Sequence, residues 1–377
     1  MSLSLRQGLA AIGVHGPTSP RMPSGFATFP RGLAEAVRAM RAHPDPLNWS
    51  RGPETFADED WSEECQGITF DGQRFVTSSD GTWVHPEKSG FWSNLPNPGW
   101  SLDRSPKALY FFKKGSYGFR DDDVDGIFHL GGDQNDHLGD IDFFDGSVHC
   151  ALDRAGGGTD CLVVTPIPGG GGWFSSSVPI ATGDSGQGND FPWCAVNPWN
   201  GLLYSSKFTD EPGGVREIYA YDRGTGQWAG TQRTIHLSHP ADGVQGGCFS
   251  PMGHLYLACH EIRFMAGGTT RTYPADDLAL HGVREDTRPA PWPGRGRIPA
   301  GTRSTVIRCY SAFNGRALGE VPVTAKESNQ EMEGICYGAV NIEGHEARIH
   351  VVLLENHKLA KDNVFVKPYS SPHPETI

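Results

Sequence analysis

Five times along the chain an acidic, glycine-rich loop runs straight into a short apolar strand with a small residue near its start. These segments are 61–72, 131–146, 183–201, 240–253 and 326–338. Aligned on the strands, the residue two before the first strand position reads Glu64, His137, Asp190, Gly243 and Glu331. One step earlier it reads Glu63, Asp136, Asn189, Asp242 and Gln330. A self-similar unit of roughly fifty residues marks a stacked or radial repeat. Here the unit is all-β, so the spacing predicts a β-propeller whose inner strands enter from one face around one axis.

The hairpins after each entrance support this. Asp71-Gly72, Asp145-Gly146, Asn200-Gly201 and Met252-Gly253 separate entrance strands from second strands; Asn-Gly and Asp-Gly favour tight hairpins because glycine accepts positive φ. Third strands are expected in 108–115, 160–166, 217–227, 305–316 and 363–371. Outer strands are expected at 126–131, 173–180, 232–239 and 319–325. The last blade runs out of chain, and residues 46–52 stand where an N-terminal strand would complete it and remove the open edge. The expectation is therefore five four-stranded antiparallel blades; a sixth would have to hide in 1–60 or 260–303. Residues 46–377 then form one propeller domain with a long Arg- and Pro-rich insertion at 266–303. Residues 1–45 form an extension whose Leu33, Val37 and Met40 have the spacing of a short helix.

Composition narrows the partners. A net charge of −12 argues against a nucleic-acid backbone, which needs clustered Lys and Arg. No stretch approaches the ~18 apolar residues of a membrane span, and the N-terminus reads poorly as a signal peptide, so cytoplasmic residence is expected. The eight cysteines include no C-x-x-C pair, and most fall in expected strands, where a thiol packs as a small hydrophobe. Gly183-Asp184-Ser185-Gly186 copies a protease nucleophile tetrapeptide, but a triad is a geometry rather than a tetrapeptide, and the match reads as chance. Asp121-Asp122-Asp123-Val124-Asp125-Gly126 has the D-x-D-x-D-G opening of a calcium loop without its distal Glu.

Carboxylates and amides arriving at one axis suggest a cation site. Ca²⁺ takes six to eight hard oxygen ligands in flexible geometry, and Glu64, Asp190, Glu331, Glu333, Asn189, Asp140 and Gln245 are the candidate ligands, with Gln66 beside them. His137 leaves room for another divalent metal. For acid–base work the candidates are His137, His260 and the adjacent Glu261, since a His–carboxylate pair in a polar pocket makes a general base.

The segment HLGDIDFFDGSVHCALDRAGG (137–157) resembles the hairpin units of the five-bladed calcium-activated nucleotidases. EGICYG (333–338) and GND (188–190) resemble units of the gluconolactonase and paraoxonase-like propellers. The resemblance implies a calcium-binding propeller, with an axial ion that polarises a phosphate or lactone oxygen and is held by Glu64, Asp190, Glu331 and Glu333. Two readings stay open. One is a Ca²⁺-dependent, hydrolase-like enzyme for a small polar or anionic substrate, such as a lactone or phosphoanhydride. The other is a non-catalytic propeller that binds a carbohydrate or a protein and keeps a structural metal. Oligomeric state is left open.

Overall fold

The computed structural model describes residues 50–51, 55–57, 60–62, 64–81, 107–130, 136–167, 171–209, 214–260, 265–266, 269–270, 305–323, 330–342, 345–355 and 362–370. The expected helix at 31–43, most of the 266–303 insertion and Glu261 lie outside them.

Two short strands, β1 (Ser50–Arg51) and β2 (Thr55–Ala57), come first. Blade one is β3 (Cys65–Phe70), β4 (Phe75–Ser79), β5 (Ala108–Phe112) and β6 (Val124–His129). Blade two is β7 (His137–Phe144), β8 (Ser147–Asp153), β9 (Thr159–Pro166) and β10 (Trp173–Pro179). Blade three is β11 (Ala195–Val196), β12 (Leu203–Ser205), β13 (Val215–Tyr221) and β14 (Ile235–Ala241). Blade four is β15 (Val244–Phe249), β16 (His254–His260), then, after a small hairpin of β17 (Met265–Ala266) and β18 (Thr269–Thr270), β19 (Thr305–Ser311) and β20 (Ala317–Val323). Blade five is β21 (Gln330–Ile342), β22 (His345–Glu355) and β23 (Asn363–Ser370), and its outer edge is covered by β1 and β2. Every pairing within the blades is antiparallel.

The ring is thus five-bladed and closed by the N-terminal strands, with Ser50 opposite Ser370 and Phe56 opposite Phe365. Closure removes an exposed strand edge and ties chain segments about 300 residues apart, as Ser62 Oγ donating to the Asp362 carbonyl at 2.6 Å shows.

Each blade buries both faces because it packs on a neighbour on either side. Five apolar clusters fill the seams. Val76, Phe111 and Leu152 lie between blades one and two, Cys161, Phe191 and Val196 between two and three, and Ile218, Leu257 and Val306 between three and four. Tyr256, Ile335 and Phe365 lie between four and five, and Ile68, Phe112 and Val352 between five and one. At about 25 cal/mol per Å² of apolar surface removed from water, these seams hold blades that could not fold singly. The Asp145-Gly146 turn adopts φ of 51° and 81°, the double positive φ of a type I′ hairpin.

Two strands depart from expectation. Inner strand β11 is only two residues long, because Pro192 and Pro198 bracket it and proline cannot donate to a ladder. Strand β21, by contrast, extends back through the expected loop. Glu331 and Glu333 are strand residues, since Met332 is fully buried and β22 supplies partners as far as Glu355.

Candidate functional site

The axis is where the inner strands present unpaired backbone groups, which must find partners when buried. Three residues on from the five aligned entrance positions stand Gly67, Asp140, Trp193, Gly246 and Gly334. Three blades therefore withdraw their side chains, and blade two inserts a carboxylate into the space. Asp140 is fully buried. Its Oδ1 accepts the N–H of Ile68 (3.2 Å) and Ile141 (2.9 Å), and its Oδ2 accepts those of Gly247 (3.2 Å) and Ile335 (3.3 Å). A Cβ at Gly67 would lie 2.5 Å from Oδ1 and one at Gly246 2.4 Å from Oδ2, so the glycines are required by the carboxylate's approach. Pairing irregularities at Cys65/Gly67, Leu138/Ile141, Val244/Gly246 and Met332/Gly334 turn the strand edges inward at this level. Blade three joins one step on: Asp142 Oδ2 accepts Val196 N–H at 2.7 Å. Burial pushes the Asp142 carboxyl up to about 7, against the pull of the Val196 and Phe143 amides. Two aspartates on one strand thus tie all five blades.

At Asp140 this differs from the expected role of a cation ligand. A cation at Asp140 would face four N–H dipoles aimed at the same point, and would have to displace every hydrogen bond the carboxylate makes. Among the described residues no three His, Cys, Asp or Glu side chains gather into a group that could hold a metal. The residues at hand do not fit an axial ion at this level.

The other expected ligands lie at or just before the starts of the inner strands. Glu64 and Gln66 belong to blade one, with Gln66 Nε2 3.5 Å from Glu64 Oε2. The Glu64 N–H donates to Asp362 Oδ2 at 3.1 Å, which ties the entrance of blade one to blade five. Glu333 is buried and Glu331 half-buried in blade five, Gln245 is half-buried in blade four, and Asn189 and Asp190 are exposed before blade three. His137 is an exposed rim residue directly opposite Asp153 in the β7–β8 ladder. His260 ends β16, but its side chain lies outside the described residues.

Asp153 and Asp80 complete this rim, and sequence reading passed over both. Asp153 Oδ1 accepts the Phe191 N–H at 2.7 Å. Burial raises its carboxyl to about 7, the Phe191 amide opposes the rise, and the neighbouring Asp190 carboxylate adds to it. Asp80 Oδ1 accepts from Lys107 Nζ (2.6 Å) and from the Leu138 N–H (2.8 Å), bracing the strand start that carries His137. Arg154 bridges Asp136 and Asp160, each at 2.7 Å. Lys107 and Arg154 therefore already carry carboxylate partners, while Lys207, exposed just after β12, stands on the same side as the entrance loop of blade three. The one signal for Asp153 was its position: an acidic residue ending a second strand next to an inner-strand entrance.

The remaining motifs resolve as structure. Ser185 Oγ lies 2.7 Å from Tyr221 Oη, which donates to Gln187 Oε1 at 2.7 Å; among the described residues its partners are a tyrosine and a turn, and no histidine joins them. In the Asp121–Gly126 run two of the acidic residues contact neighbouring strands. The Asp123 carbonyl accepts Lys113 N–H, while Asp125 lies 3.7 Å from Arg74. Asp121–Asp123 form a short 3-10 turn that continues directly into β6.

The fold and mouth define a five-bladed propeller with an acidic entrance face and a carboxylate-sealed axis. No protein-family model matches the chain, and no curated protein matches it. Among solved structures it is similar to the GH43_1 enzyme from Xanthomonas citri complexed with xylose, at 10% identity and a TM-score of 0.42 over 90% of this chain and 93% of that one. The RS223 β-xylosidase is similar at 11% identity and a TM-score of 0.39 over 82% and 92%. The tail fibre of a Staphylococcus aureus phage matches at 9% identity and a TM-score of 0.39 over 86% of this chain, which spans about half (53%) of that fibre chain. Likeness this low carries neither activity nor ligand across.

Proposed function

We propose that this propeller is a hydrolase-like protein that takes a neutral, polyhydroxylated ligand of the carbohydrate class at its entrance face. Asp153 serves as the proton-transferring carboxyl and Asp190 as the second carboxylate. The observation that carries the reading is Asp153. It is a rim carboxyl raised to about 7 beside the exposed Asp190, and two carboxyls with differently set environments are the means by which one site supplies both acid and base. His137, across the ladder from Asp153, borders the same space.

The carboxylates of the entrance face favour a neutral ligand over the phosphoanhydrides that the resemblance implied; a lactone is itself neutral, and the panel below separates it from a glycoside. An anion would meet Asp190 and Glu64 with Lys107 and Arg154 already bound to aspartates. The test is a panel of aryl glycosides, lactones and nucleotides, run in EDTA and in Ca²⁺, with the wild type, Asp153→Asn and Asp190→Asn. Turnover of a glycoside that falls at least ~100-fold in either variant is expected from loss of an acid–base group. Turnover that both variants retain refutes the assignment. Sugar binding without turnover, measured by calorimetry, supports the non-catalytic binding reading instead. The EDTA arm reports whether calcium or another divalent metal takes part.

A further inference from the structure

We infer that the propeller axis is an anion site built from main-chain N–H groups of four inner strands, with the Asp140 carboxylate as its resident ligand. The ligand class it accepts is a small monoanion of carboxylate size. Four donors, from Ile68, Ile141, Gly247 and Ile335, converge on two oxygens at 2.9–3.3 Å. They come from β3, β7, β15 and β21, so the receptor exists only when the ring is closed. Every partner of these oxygens is an N–H donor, and backbone amides in that arrangement make a concavity for anions. Burial pushes the carboxyl well above its usual range, the amides of Ile141, Ile335 and Ile68 oppose the rise, and Asp142 adds to it. The geometry argues for the anion: all four hydrogen-bond partners of its oxygens are N–H donors, which leaves a carboxylic O–H no acceptor among them.

The surroundings are shaped for this occupant. Gly67, Gly246 and Gly334 each place a would-be Cβ within 2.9 Å of an Asp140 oxygen. Gly139 sits where a Cβ would lie 1.9 Å from the Pro192 carbonyl, and the Asp140 N–H donates to that carbonyl at 3.1 Å. Blade three thus fixes the backbone of Asp140 while the other blades fix its side chain. Among the described residues the titratable groups near it are Asp142 two residues along β7, Cys194, whose Sγ donates to the Asp140 carbonyl at 3.9 Å, Cys248, Cys336 and Cys65, with Glu333 beside Cys65. None of these is a cation, and the amides supply the positive potential.

Removing the side chain should therefore leave a receptor that a free anion can fill. In the full-length chain, Asp140→Gly installs the residue that three other blades carry. Its thermal midpoint should fall by several degrees and recover saturably with sodium formate, exchanged against methanesulfonate at constant ionic strength. The wild type should not respond to formate, and calcium methanesulfonate should restore neither variant nor wild type. An equal formate response in wild type and Asp140→Gly, or stoichiometric calcium in the wild type that Asp140→Asn loses, overturns the inference. Should Asp140→Gly fail to fold, Asp140→Asn decides alone. It keeps the shape but aims an NH₂ at two N–H donors, so a large loss of stability supports the anion site and wild-type stability refutes it.

Discussion

Gly246→Ala tests the packing of the axis without touching the carboxylate itself. The new methyl would stand 2.4 Å from Asp140 Oδ2 and 3.0 Å from the Glu333 carbonyl. Gly246 is not among the positive-φ glycines, so the cost is contact rather than backbone strain. Relief requires Asp140 to withdraw, and withdrawal breaks the bonds from Gly247 and Ile335 to Oδ2. Hydrogen bonds to a charged group contribute about 1.5–3 kcal/mol each, and overpacking adds about 1–3 kcal/mol. Partial relaxation offsets some of this, so the expected loss is about 3 kcal/mol or more in urea unfolding. Gly183→Ala, with nothing within 4 Å, is the control and should cost under about 0.5 kcal/mol. In an Asp140→Gly background the methyl enters vacated space, and the two substitutions should show a coupling above about 1 kcal/mol. A Gly246→Ala cost near that of the control, or simple additivity with Asp140→Gly, refutes the account of the axis.

Three other outcomes are expected. Asp142 and Asp153 hold their protons more tightly in the folded chain than in the unfolded one. Their contribution is fully present below about pH 4 and is lost as pH rises to about 7. Asp142→Asn and Asp153→Asn should each flatten the decline of the urea midpoint between about pH 4 and 7; variants with the wild-type slope would count against the raised carboxyls. All eight cysteines are free and buried, so a disulfide reagent should label the native protein only as fast as it unfolds and should count eight thiols in denaturant. Rapid labelling of any native thiol contradicts the packing. Ser185→Ala should remove the Tyr221 contact at a cost of about 1 kcal/mol, and serine-directed phosphonates should leave the wild type unmodified; an adduct on Ser185 would restore the nucleophile reading.

How much of this was legible in the chain depends on the range of the interaction. Hairpins such as Asp145-Gly146 are set by the φ their own residues accept, so strand order and blade count could be read locally. Closure by the N-terminal strands followed from counting strands against the need to cover an edge. The glycine recurring three residues after three of the five entrances, at 67, 246 and 334, was visible as a small residue, but its reason was not. The atom it makes room for belongs to Asp140, brought from another blade across the axis. Likewise Asp153 became a candidate only when the β7–β8 ladder set it opposite His137 and the loop before blade three laid Phe191 and Asp190 against it.

Sequence alone determined the class: five repeats, one axis, one acidic face. Backbone propensity and turn chemistry act within a few residues, and repetition makes them readable. The sign of the axial site was decided by tertiary structure. Acidic letters around an axis suggest a bound cation as long as only side chains are counted. In the folded ring the inner strands also bring their unpaired N–H groups to the same place, and those groups recruit a carboxylate. Main-chain donors are identical at every position of a sequence, so where they converge is known only once the blades are closed.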